Sequence, residues 1–135
     1  MNDPSLEFRT GHPLAAVDVA RLFDASGIRR PTDDLPRIAA MLQHANLVVS
    51  VWHGDRLVGL ARALTDFCYC CYLSDLAVDR DYQRHGIGRE LIARVQNAIG
   101  ERTSLILLSA QEALDYYPRL GFARADNAFV IRRAR

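Results

Sequence analysis

No run in this 135-residue chain approaches the roughly 20 apolar residues that a membrane-spanning helix needs. Met1-Asn2-Asp3-Pro4 lacks the basic and apolar regions of a secretory leader, so a cytoplasmic location is expected. Charge of one sign is missing too. Seventeen basic against 16 acidic side chains leave a formal net charge of +1, which argues against general affinity for nucleic acid or an anionic membrane. Cys68, Cys70 and Cys71 are odd in number and crowded together, which makes neither a disulfide framework nor a paired zinc motif, so free thiols are expected. His12, His44, His53 and His85 are scattered without ligand spacing, and no metal is expected. Repeats, low-complexity tracts and linkers are likewise missing, and the length suits one domain over residues 1–135.

What is present is a mixed pattern of elements in the order β-α-α-β-β-β-α-β-α-β-β. Leu6 to Thr10 reads as a strand, Pro13 to Asp24 as a helix stopped near Gly27, and Asp33 to Gln43 as a second helix with Leu35, Ile38 and Leu42 on one face. Thr32 or Asp33 is the expected cap of that second helix. Leu47–Trp52 and Leu57–Leu64 flank a turn sequence and should pair as a hairpin, followed by a strand from about Cys68 to Val78. Leu91, Ile92, Val95 and Ile99 mark a helix from about Gly88, ending before Gly100. Ser104–Ser109 reads as a buried strand and Gln111–Tyr117 as a short helix. Brief strands around Phe122–Ala125 and Phe129–Arg132 would close the chain.

The most informative stretch is a strand, a glycine-containing turn and a helix in succession: Leu76-Ala77-Val78, Gln83-Arg84-His85-Gly86-Ile87-Gly88, then Arg89-Glu90-Leu91. Helix N-termini present unpaired N–H groups and partial positive charge, and glycine lets an anion approach the backbone. The amides of His85, Ile87, Gly88 and Arg89 could converge on a pyrophosphate, with Arg84 and Arg89 adding charge. A P-loop is excluded because Gly88 is followed by Arg89-Glu90 instead of Lys and Ser or Thr. The dinucleotide fingerprint is excluded because Leu91 stands where a third glycine or alanine belongs.

Gln83, Gly86 and Gly88, the preceding tract Leu73–Tyr82, and Tyr117-Pro118-Arg119-Leu120-Gly121-Phe122 together resemble the GNAT superfamily of N-acetyltransferases. Leu57–Ala63 and Tyr82-Gln83 are also similar to a subgroup of bacterial and plastid serotonin N-acetyltransferases. The resemblance implies an α/β (α+β) fold with a mixed, strongly bent sheet of about six to seven strands flanked by about four helices. It implies two strands splayed around the pantetheine arm of acetyl-CoA. Leu76, Ala77 and Val78 would line that arm, and Gln83, Arg84, His85, Gly86, Ile87, Gly88 and Arg89 would hold the diphosphate. Many relatives carry an asparagine where this chain has Ala110.

By the same resemblance Tyr117 is the acid that protonates the coenzyme thiolate, with Tyr116 as second choice, and Asp75 accepts the amine proton directly or through water. An ordinary tyrosine, with a pKa near 10, is protonated at neutral pH, as this role requires. The loop from Gly27 to Asp34 lies where relatives recognise the acceptor, and Asp33 and Asp34 could attract an amine. The implied activity is direct acetyl transfer to a small-molecule or protein amine in a ternary complex, by a monomer or homodimer. A catalytically weak acyl-CoA-binding module is the alternative.

Overall fold

Branched and aliphatic residues in Leu47-Val48-Val49 and Leu57-Val58 favour extended chain, and they form the middle of the sheet in a computed structural model, which describes residues 5–135. Residues 1–4, on which the expectation of no leader rests, lie outside the described range. In chain order the elements are β1 (Leu6–Thr10), α1 (Ala16–Ser26), α2 (Leu35–His44), β2 (Leu47–His53), β3 (Arg56–Thr65), β4 (Cys70–Val78), α3 (Ile87–Ile99) and β5 (Ser104–Ile106). Short 3-10 helices occupy Arg80–Tyr82, Gln111–Ala113 and Tyr117–Leu120. The strands lie side by side in the order β1-β2-β3-β4-β5, antiparallel through β4, with β5 parallel to β4. The β2–β3 turn needs Gly54, whose φ is +61°.

The helices divide between the two faces. Ile87, Leu91, Ile92, Val95 and Ile99 recur at helical spacing and pack on Val49, Val51, Ala61 and Leu73, so α3 covers one face. Val19, Leu22 and Phe23 of α1 and Ile38 of α2 cover Trp52, Leu60 and Ala77 on the other. The register of β3 on β4 slips at one point: Arg62 pairs with Asp75 while Ala63 pairs with Leu73, leaving Ser74 as an extra residue. This bulge reverses the alternation. Leu73 faces α3, whereas Ala77 and Asp75 face α1 and α2.

Several expectations are corrected. The cap of α2 is Asp34, whose carboxylate accepts the Arg37 amide at 3.1 Å, while Thr32 bonds Asp24. The helix expected over Gln111–Tyr117 is replaced by two separate 3-10 turns, Gln111–Ala113 and Tyr117–Leu120, with Pro118, which has no N–H to give, in the first turn of the second. β5 ends at Ile106, and no strand forms around Phe122–Ala125 or Phe129–Arg132. Among the described residues the sheet therefore has five strands, fewer than the six to seven expected, and three α-helices instead of about four support it. A three-residue β5 offers too short a ladder for a further strand, and Arg124, Asp126 and Asn127 interrupt the apolar pattern.

Candidate active site

The ladder between β4 and β5 is short. Cys70–Tyr72 pair with Ser104–Ile106, and among the described residues no strand pairs with the remainder of β4 on that edge. Asp79 donates its amide to Val58 of β3 at 2.9 Å. Antiparallel strands alternate inward and outward backbone groups, so those of Val78 and Leu76 point to the open edge. The Gln83 side chain donates to the Val78 carbonyl at 2.9 Å, tying the following loop to that edge.

A cavity of about 550 Å³ runs beside the edge, between β4 and the chain after β5. A second, of about 710 Å³, lies at the start of α3. Leu76, Val78, Gln83 and Tyr117 line both. Among the residues expected to hold the coenzyme, His85 alone lines neither; Ala77 lines the first, and Arg84, Gly86, Ile87, Gly88 and Arg89 line the second. A strand edge with free amide groups, continuous with a helix N-terminus, suits a ligand carrying both amides and anionic oxygens.

The loop that starts α3 is braced from beneath. Asp79 is 2 % exposed and accepts the Asp81 amide at 3.0 Å and Arg56 at 2.9 Å, with Arg21 at 4.0 Å. Burial alone would raise its carboxyl, but the Asp81 amide, Arg56 and Arg21 together hold it below the ordinary value. Arg84 and Gly86 adopt left-handed conformations with φ of +68° and +84°. Such a conformation is strained at Arg84 and free at Gly86. Among the described residues the amides of Ile87, Gly88 and Arg89 find no acceptor; the first helical bond is Glu90 to Gly86. Above them sits Tyr116: a Cβ on Gly88 would collide with its hydroxyl.

Tyr117 is half-buried where the two cavities meet, edge-on to Phe122 and Tyr116 at 5.5 and 5.2 Å between ring centroids. Burial raises its phenol above the usual value, Tyr116 adds to this, and the Arg30 charge partly offsets it. Among the described residues its hydroxyl has no hydrogen-bond partner. On either side of Ala110, Ser109 turns its hydroxyl to the Ala110 carbonyl at 2.7 Å, while Gln111 lines the first cavity.

Asp75 is fully buried and lines neither cavity. One oxygen accepts Arg30 Nε at 2.5 Å, and the other accepts Arg62 Nε. Arg62 also reaches the Ser74 hydroxyl at 2.8 Å and the Met41 carbonyl at 3.2 Å. Sequence reasoning missed this triad. Its one local signal was Arg62, a charged residue inside the apolar run of β3, which demands a buried partner. The thiols lie elsewhere: Cys68 and Cys70 are exposed, Cys71 is buried, and desolvation raises both Cys68 and Cys71. Among the described residues no three His, Cys, Asp or Glu side chains converge as a metal site, and no helix is long and apolar enough to cross a membrane.

Comparison with known proteins gives consistent matches. The sequence model of the acetyltransferase (GNAT) domain matches residues 27–132. Histone acetyltransferase TAP1 of Glycine max is 30% identical over 129 residues, covering 85% of this chain and 54% of that protein. The chain spans about half the length of the curated relatives it matches first. A GNAT-family acetyltransferase from Streptococcus pneumoniae superposes with a TM-score of 0.76 at 23% identity, over 95% of this chain and 98% of that one. Aminoglycoside N-acetyltransferase AAC(6′)-Iy, in complex with CoA, superposes with a TM-score of 0.70 at 18% identity, over 96% and 95%. At these identities the two superpositions establish the fold.

Proposed function

The chain belongs to the GNAT acetyltransferase family, and from that premise we propose that it transfers the acetyl group of acetyl-CoA to a primary amine within a ternary complex. The observation that carries this reading is the continuity of the open β4 edge with the three unpaired amides of α3. The outward backbone groups of Leu76 and Val78 match the amides of a pantetheine arm, and the amides of Ile87, Gly88 and Arg89 match a diphosphate. Arg84 and Arg89 line the same cavity and add positive charge. Tyr116 either donates its phenol to the phosphate or turns aside. The CoA bound to AAC(6′)-Iy supports the cosubstrate, with no metal in the scheme.

Acetyl-CoA supplies an activated acyl group. The amine nitrogen bonds to the acyl carbon, the carbon–sulfur bond breaks, and the amine proton passes to water. Tyr117 holds the proton for the departing sulfur; its raised pKa keeps that proton in place across the neutral range. Asp75 is assigned to anchoring Arg30 and Arg62 instead of deprotonating the amine, since guanidinium donors occupy both its oxygens. Acceptors do not transfer from relatives by name, because one relative is a histone acetyltransferase and several structural neighbours are aminoglycoside acetyltransferases.

The test is titration with CoA followed by thiol release from acetyl-CoA across an amine panel. Saturable coenzyme binding with amine-dependent thiol release is expected. Binding without release for any amine would leave an acyl-CoA-binding module, and no binding would end both readings.

A further inference from the structure

Beyond the end that it shares with the α3 loop, the cavity along β4 reaches Arg29 and Arg30. Asp75 is one negative charge held between two guanidiniums, so the buried group carries an excess positive charge, and Arg62 is only 8% exposed. The excess faces the cavity through Arg30, whose side chain is 24% exposed. Arg29 adds a second positive charge to the same wall, while Glu112, exposed on the opposite wall, is the acidic residue among the lining.

Arg30 is fixed and unfinished. A guanidinium has five N–H donors. Nε is spent on Asp75, one hydrogen of Nη1 on the Arg29 carbonyl at 2.6 Å, and one of Nη2 on the Ser74 carbonyl at 2.9 Å. One hydrogen remains on each Nη, so the group still has two charged N–H donors to offer a carboxylate. Because Asp75 and Ser74 already hold the group in place, a ligand there loses little to ordering the side chain. The Arg30 charge is also felt at the Tyr117 phenol, and both side chains line the same cavity.

We propose that the acceptor amine carries a carboxylate and that the remaining N–H donors of Arg30 bind it, which makes Arg30 the residue that sets acceptor charge. This rests on the acetyl-transfer reading and narrows it to small amino acids and related amino carboxylates. It reverses the sign expected of the α1–α2 loop, where Asp34 is spent as a helix cap. A polycationic acceptor such as an aminoglycoside meets Arg29 and Arg30 and is disfavoured.

The test uses amines matched in skeleton and differing only in the carboxylate: phenylalanine and phenethylamine, lysine and cadaverine, γ-aminobutyrate and propylamine. Binding to the CoA-loaded protein is measured by calorimetry, and to the free protein if CoA does not bind. In at least one pair the carboxylated member is expected to bind about tenfold tighter or better. Arg30→Gln should bring that ratio to about one and Arg30→Lys, which keeps a cation opposite Asp75 but loses the guanidinium, to an intermediate value. A wild-type preference for the decarboxylated members, a preference that survives in Arg30→Gln, or no binding by any member would overturn the assignment. Thiol release from acetyl-CoA is read in parallel. Carboxylate preference without release keeps Arg30 and sinks the transfer reading; release confined to decarboxylated amines does the reverse.

Discussion

Adding a methyl group at Gly88 separates two reasons for a glycine there. A Cβ at Gly88 would collide with the Tyr116 hydroxyl, but once that oxygen is gone the nearest remaining atom, Tyr116 Cζ, lies at 3.5 Å, an ordinary contact. Overpacking costs about 1–3 kcal/mol. Replacing glycine within a helix returns up to about 1 kcal/mol. Gly88→Ala alone should therefore destabilise by about 0–3 kcal/mol. Tyr116→Phe alone should be near neutral, about 0.5 kcal/mol or less, because that hydroxyl makes no protein hydrogen bond among the described residues. In the Tyr116→Phe background, Gly88→Ala should become neutral or stabilising, giving a coupling of about 1–3 kcal/mol in urea unfolding. Coenzyme affinity should behave differently. The methyl stands over the free amides of α3 whether or not Tyr116 has its hydroxyl, so both Gly88→Ala proteins should bind CoA about tenfold more weakly or worse. Additive stabilities would refute the packing assignment. Recovery of CoA affinity together with stability would refute the anion cradle.

Tyr117→Phe should lower kcat about 10²–10⁴-fold with KM for acetyl-CoA nearly unchanged in steady-state thiol release; unchanged kcat would remove Tyr117 from the reaction. Since burial raises that phenol, the stability it contributes is fully present below the unfolded value near 10 and fades as pH rises through the higher folded value, a loss that unfolding measured above pH 10 should register in the wild type and not in Tyr117→Phe. Asp75→Asn should destabilise by about 3–5 kcal/mol, because it leaves Arg30 and Arg62 facing a neutral group in a buried site. A variant of full stability that has lost amine-dependent turnover would instead make Asp75 the base. Asp66, which accepts the amides of Cys68, Tyr69 and Cys70, has its carboxyl lowered to about 2, and Asp79 is lowered as well. Both carboxylates contribute stability that is present above the unfolded value near 3.9 and is lost as pH falls through their folded values, so the Asp66 carbon signal should titrate near 2 by NMR.

What the sequence discloses depends on how local the cause is. The stripe from Ile87 to Ile99, the stop at Gly100 and the glycines before α3 are neighbours in the chain, and the helix forms within a residue of where that pattern puts it. The hairpin around Gly54 is legible for the same reason. The Arg30–Asp75 pair joins residues 45 apart in sequence, and nothing near Arg30 announces it. The bulge at Ser74 is equally silent, yet it decides that Asp75 faces α1 and α2 instead of α3. Local pattern also overreaches. Phe129–Arg132 has strand-like composition, but a strand needs a partner edge, and Phe129 and Ile131 stay exposed while the ladder ends in a β5 of three residues. Tyr116 above Gly88 is a tertiary contact that no spacing rule reports.

The most direct measurement is an amide NMR titration of the full chain with CoA. Leu76 and Val78 on the open edge of β4 and Ile87, Gly88 and Arg89 at the start of α3 should shift together with one dissociation constant, the α3 amides moving downfield as they gain an anionic acceptor. Shifts confined to other parts of the chain, or CoA binding that leaves these five amides in place, would contradict it.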